Sequence, residues 1–170
     1  MVWLTQSRST IVAMYMLIPN IKGDVTAKDH EQWIELTSFN FHVKRQITAH
    51  AGRISDREMT RPYISELKLE KLADRSGPQL FREACVGKAI ETVKIHMCLT
   101  NERLDPFQEF TFSNVILSYL EINADVNAQT VMFVNMSFDS LEVKYIPFDN
   151  KHRPQSPIAA GYDLKRAVSL

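Results

Sequence analysis

The chain has 170 residues, of which 45% are hydrophobic and 24% charged, the composition of a soluble globular protein with enough length for one sizeable core. Its 20 basic and 20 acidic side chains cancel to a formal net charge of zero, which argues against nucleic acid or an anionic membrane as the main partner. No stretch reaches the roughly 18 apolar residues of a membrane span, and a near-zero charge permits self-association.

Thr10 to Ile18 is mostly apolar and follows Arg8, loosely like a signal sequence. The basic region is thin and no small-x-small cleavage site precedes Pro19, so Ile11–Ile18 reads as the first strand. Met14 offers an alternative start, which makes residues 1–13 a candidate N-terminal extension and 14–170 the domain. Trp33–Leu36 is strand-like, and Phe39, Phe41 and Val43 then alternate with polar neighbours. From Arg45 to Arg61 the pattern fails, and a long charged loop is expected there, either a solvated charge run or a docking surface. Ile64–Leu69 resumes as strand.

One helix follows. Ser76 reads as its N-cap, with Gln79 completing a capping box and Pro78 in the first turn. Leu80, Phe81, Ala84 and Cys85 share the predicted apolar face, and Gly87 suits a left-handed C-terminal position. Val93, Ile95, Met97 and Leu99 then alternate with Lys94, His96 and Cys98, which places Cys98 away from the predicted core. A long strand opens at Phe110-Thr111-Phe112, with a β-bulge expected at Ser113-Asn114 before Val115, Leu117 and Tyr119 continue it. Val131–Phe138 and Leu141–Tyr145 are strands, Lys151–Pro157 is a proline-rich connector, and Gly161–Val168 forms the last strand. The result is a mainly β, single-domain barrel of about seven to nine strands with one helix.

No chemistry-bearing motif is present. The five histidines lack the spacing of HExxH or a zinc finger, and His42 and His96 read as surface or rim residues. GxSxG, P-loop and GxGxxG patterns are absent, and Ser76 is accounted for by capping. Cys85 and Cys98 read as free thiols of a protein made in a reducing compartment. Asn135-Met136-Ser137 fits a glycosylation pattern but lies within a strand. Phe110, Phe112, Phe133 and Phe138 read as core. No catalytic residue, metal site or cofactor is expected, and the chain reads as a non-enzyme.

Lys71-Leu72-Ala73-Asp74-Arg75-Ser76-Gly77-Pro78-Gln79-Leu80 resembles the Lys-x-x-Asp-x-Ser-Ser/Thr-Pro-x-Leu stretch of the haemolysin-coregulated proteins (Hcp), departing at Gly77. Ile21-Lys22-Gly23-Asp24 resembles that family's early turn, and His30-Glu31-Gln32-Trp33-Ile34-Glu35-Leu36 its second strand. Phe138-Asp139-Ser140-Leu141-Glu142-Val143-Lys144-Tyr145 resembles its late strand, and Gly161-Tyr162-Asp163-Leu164 its terminal one. The N-terminal extension and Glu70, often Thr in the family, are further departures.

The resemblance implies a tail-tube-like β-barrel with the helix on its side, acting as the inner-tube subunit of a type VI secretion system. It implies homohexameric rings that stack, inside a contractile sheath and under a trimeric spike protein, with secreted effectors in the lumen. Assembly would be cytoplasmic and export would need no cleaved signal peptide. It implies a ring-stacking role for the long loop, with Arg45, His50, Arg53, Asp56, Arg57, Glu58 and Arg61 as candidates. Asp74, Ser76, Pro78 and Leu80 are the family-motif helix residues. The alternative is a small-ligand-binding β-barrel carrier, but lipocalin-type barrels place their helix near the C-terminus rather than mid-chain. A tube protein with an added effector activity would need a further domain.

Overall fold

A computed structural model describes residues 12–48, 58–59, 61–99 and 104–170. The described strands are β1 (Val12–Leu17), β2 (Ile34–Leu36), β3 (Ser38–Asn40), β4 (Val43–Lys44), β5 (Ile47–Thr48), β6 (Glu58–Met59), β7 (Tyr63–Ile64) and β8 (Leu67–Leu72). After helix α1 (Gly77–Val86) come β9 (Ile90–Leu99), β10 (Pro106–Asn123), β11 (Val131–Ser137), β12 (Ser140–Tyr145), β13 (Ile158–Asp163) and β14 (Val168–Ser169). Seven of these strands have six residues or more, and the other seven are two or three residues long. Every described ladder is antiparallel.

The long strand β10 organises the molecule. Its first half pairs with β9 on one edge and β12 on the other, from Gln108 to Ser113. Its second half pairs with β11 from Ile116 to Asn123. Asn114 sits at the switch with φ 51°, a conformation that asparagine tolerates better than most residues. Its Nδ2 donates to Asp139 Oδ2 at 2.5 Å. The irregularity expected at Ser113-Asn114 is thus the point where the strand changes partners. The register itself shifts four residues later, between Leu117 and Tyr119. That extra residue inverts the alternation, so Tyr119 is exposed and Leu120 turns to the core.

The ladders run β2–β1–β9–β10 and onward β10–β11–β8–β3. Since β2 and β3 are consecutive, the chain itself completes the wrap at Thr37, where no ladder joins the two sheets. The Thr37 N–H donates to Glu70 O of β8 at 2.9 Å, which ties the bend down. The strands β12, β13 and β14 extend the first sheet beyond β10 as a wing.

The interior is filled with side chains, among them Met16, Ile34, Leu67, Ile95, Phe112, Val134 and Met136, all fully buried. Phe112 and Phe138 meet edge-to-face with centroids 4.9 Å apart, and Phe39 meets Phe110 at 5.0 Å. Phe133 departs from the core assignment. The strand β11 turns Met132, Val134 and Met136 inward, so Phe133 faces outward opposite Glu70. The near-continuous apolar run 131–134 leaves parity open, and pairing resolves it.

The stretch expected as a loop from Arg45 to Arg61 begins and ends as a β-ribbon. Val43 and Lys44 pair with Ile64 and Tyr63, and Ile47 and Thr48 pair with Met59 and Glu58. Val43, Lys44 and Tyr63 are exposed and Ile64 alone of the β4–β7 ladder packs on the core, so that ladder writes no alternating pattern. The strand expected over Ile64–Leu69 is interrupted at Ser65. There the Ser65 hydroxyl oxygen accepts from the His42 N–H at 2.9 Å, and His42 O accepts from the Ser65 N–H at 3.0 Å.

Candidate assembly surfaces

The family-like motif begins at the end of β8, where Leu67, Leu69 and Lys71 point inward in succession. Lys71 is fully buried. Its Nζ donates to Asp74 Oδ1 and to Leu72 O, both at 2.7 Å, and lies 3.9 Å from Met132 Sδ. A buried ammonium is tolerated only when a counter-charge and acceptors meet its N–H groups, and these do. Asp74 Oδ1 also accepts the Ser76 N–H at 2.9 Å and the Ser76 hydroxyl at 2.5 Å.

That geometry corrects the capping assignment. Ser76 has αR dihedrals, and its side chain makes no cap bond. Its hydroxyl donates to the stronger acceptor, the neighbouring carboxylate, so the expected capping box with Gln79 does not form. Pro78 is exposed in the first turn, and Leu80 is fully buried. Phe81 and Cys85, expected on the apolar face, are exposed, whereas Ala84 packs on the core beside Leu80. Gly87 has φ 67° and its N–H reaches Glu83 O at 2.8 Å, the left-handed stop expected of it.

The early turn meets this helix entry. Asp24 accepts from the Arg75 Nε–H, and its other oxygen lies 3.4 Å from the Arg75 backbone nitrogen. Gly23 is required by close approach, since a Cβ there would lie 2.2 Å from Trp33 O. Asp24, Glu35 and Asp74 share the lining of a cleft of about 310 Å³ with Leu72. The sequence marks these two motifs separately, and the tertiary fold joins them.

The loop candidates divide. Arg45 and Arg61 lie between the two ladders of the ribbon, on its opposite strands, and both are exposed. Glu58 is in β6 opposite Thr48. His50, Arg53, Asp56 and Arg57 lie outside the described residues.

Sequence reasoning misses a cluster on the outer face of β1 and β9. His30, Trp33, Tyr15 and His96 pack together there, and the two histidine rings are hydrogen-bonded between His30 Nε2 and His96 Nδ1 at 3.0 Å. Cys98 is fully buried beside them, not turned to solvent, with Sγ 3.7 Å from His30 Nε2. Burial pushes the Cys98 thiol up to about 11 and the His96 imidazole down to about 4. His96 is thus half-buried on the outer face of β9, under the cover of His30 and Trp33, whereas His42 is exposed, packing against Tyr63 at 5.9 Å. The signal was the inward-compatible Cys98, but only residues 25–33, folding back, create its cover.

The model of the family described as "Type VI secretion system effector, Hcp" matches residues 15–145. The chain belongs to the Hcp family. That match contains the early turn, the buried Lys71 motif and the late strand at Tyr145, while Gly161-Tyr162-Asp163-Leu164 lies beyond it. Among solved structures, a type six secretion system protein superposes with a TM-score of 0.88 at 18% identity, covering 94% of this chain and 100% of its own. Hcp1 from Salmonella typhimurium follows with a TM-score of 0.77 at 22% identity, covering 94% and 99%. A type VI secretion system effector from Yersinia pestis has a TM-score of 0.69 at 19% identity, covering 88% and 98%. At these identities the likeness is one of fold, here the Hcp fold over nearly the full length. No curated protein matches the chain in sequence. Hcp is the structural tube protein of type VI secretion, and among the described residues no helix is long and apolar enough to cross a membrane.

Proposed function

We propose that this chain is an inner-tube subunit whose copies close into hexameric rings and stack into a tube. The tube would assemble in the cytoplasm inside a contractile sheath under a trimeric spike, and leave the cell with effectors in its lumen and without cleavage of a signal peptide. The observation that carries this reading is the family match over residues 15–145, together with a fold that covers 99% of the Salmonella typhimurium Hcp1 chain.

The surface supports it. A closed ring needs a heterologous interface, with two different patches on each copy. The wing supplies one. Leu141 is buried and Val143 half-buried, and the same face of the sheet continues to Tyr145 and, across the ladder, to Ala160 and Ile158. The described residues leave these last three exposed, Ile158 at 68%. A core face that runs past its own barrel fits burial against a second copy. The β4–β7 and β5–β6 ribbon, with Arg45, Glu58 and Arg61 on it, serves as the ring-stacking element.

Native mass measurement tests the ring, with an expected mass six times the 19.6 kDa of the chain. A strictly monomeric protein would count against it. Replacing residues 49–57 with a two-residue Asn-Gly turn tests the stacking role. The ring mass and melting temperature should persist while stacked rings vanish from electron micrographs. A variant that stacks as well as the parent would remove the ribbon from that role.

A further inference from the structure

The segment between β1 and β2 is folded on itself before it is fastened to the barrel. Its bonds Gly23 N–H to Gln32 O, Val25 N–H to Trp33 O, Gln32 N–H to Val25 O and His30 N–H to Ala27 O are all internal. Asp24 ties its start to Arg75 at the helix entry, and His30 fastens the rest to the β1–β9 wall, inserted between Trp33 of its own segment and Tyr15 and His96. His30 is only 2% exposed, and its Nδ1 is buried with no hydrogen-bond partner among the described residues.

This arrangement holds two ring protons and no third. With His30 Nε2–H donating to His96 Nδ1, His30 Nδ1 is a bare lone pair, which is the cheaper orphan. A third proton must sit at His30 Nδ1, where no acceptor faces it, or at His96 Nδ1. In the second case two N–H groups confront each other unless His30 moves its own proton to Nδ1. Every route buries an unsatisfied donor together with a charge. We propose that the His30–His96 pair is a proton-labile latch, and that acid releases residues 22–33 from the β1–β9 wall and uncovers Cys98.

The surrounding charges fit. Glu109 of β10, Lys94 of β9 and Lys144 of β12 act on His96, while Glu35 of β2 acts on the neighbouring Tyr15 and Asp105 on the neighbouring Cys98. Glu109, opposite His96 in the β9–β10 ladder, favours a charged His96, but its carboxylate is engaged by Lys144 Nζ at 2.9 Å. Lys94 and Lys144 oppose the charge. The direction follows from the lowered proton affinity of His96. The closed latch is fully stabilised above the ordinary histidine range and loses that stabilisation as pH falls toward about 4. A metal ion is not the occupant the geometry suits, since no group of three His, Cys, Asp or Glu among the described residues is arranged to hold one.

The test reads Cys98 in the full chain carrying Cys85→Ser, because Cys85 is exposed and would label at any pH. Labelling by dithiodipyridine, which reacts with thiols in acid, is normalised to free cysteine. Between about pH 7 and about pH 4 the normalised rate should rise at least about tenfold. Over the same range, hydrogen-exchange protection of residues 22–33 should fall while that of β9 and β10 holds. His30→Phe keeps an aromatic ring in the pocket and removes the hydrogen bond of the pair, and should abolish the rise. An unchanged Cys98 rate in acid overturns the latch, and so does an equal rise in His30→Phe. Simultaneous loss of protection in β9 and β10 also overturns it, because acid would then be unfolding the barrel. The exchange measurement on the unaltered protein decides the matter even if His30→Phe fails to fold.

Discussion

Lys71 is the residue on which the helix entry depends. It takes the third inward position of β8, and its charge is acceptable there only because Asp74 and Leu72 O meet it. Lys71→Met should destabilise the protein by about 2–4 kcal/mol, because Asp74 is 13% exposed and would lose its counter-charge. The urea midpoint reads this at unchanged slope. Ser76 offers a sharper contrast. Ser76→Ala removes one hydrogen bond to Asp74, at a cost of about 1 kcal/mol. Ser76→Asp, which capping preference alone would favour, sets a second carboxylate against Asp74 and should cost more than alanine. An aspartate variant as stable as the parent would restore the serine to a capping role. The motif was visible in the chain as a string of residue types. That its lysine points into the core was not, because Lys71 follows Leu67 and Leu69 at period two while charge usually signals an outward face.

At the scale of elements, the helix shows how a pattern leaves a rotation undecided. Leu80 with Ala84, and Phe81 with Cys85, are two neighbouring i,i+4 rows, and either could face inward. Contact with β10 selects the first row. Leu80→Ala should therefore cost about 2–5 kcal/mol, whereas Phe81→Ala in the isolated subunit should stay within about 0.5 kcal/mol. Thermal unfolding of dissociated subunits separates the two, and a large loss at Phe81 would mean the helix is turned the other way. The strand β9 carries the same lesson. Its alternation through Val93 and Ile95 is plain, yet Cys98 is buried on the opposite side because residues 25–33 cover it. Local periodicity reports one buried face and is silent about a second face covered from afar.

For the whole molecule, the uncovered face of the wing is the feature with consequences for assembly. Ile158→Glu should leave the subunit's melting temperature nearly unchanged, since the side chain is exposed, and should break the hexamer into smaller species on native mass measurement. Rings that survive the charge would place the interface elsewhere. The mainly β class, the single helix with its Gly87 stop, the zero net charge and the Hcp motifs were legible from the amino acids. All are local or additive properties, written in period, turn chemistry and composition. The burial of Lys71, the partner switch at Asn114, the outward turn of Phe133 and Tyr119, and the meeting of His30, His96 and Cys98 were not. Each depends on which strand pairs with which and in what register, and a shift of one residue inverts every side chain. Those pairings join residues as far apart as Val12 and Leu99, so the information lies in the tertiary wrap of the sheet and not in any window of the chain.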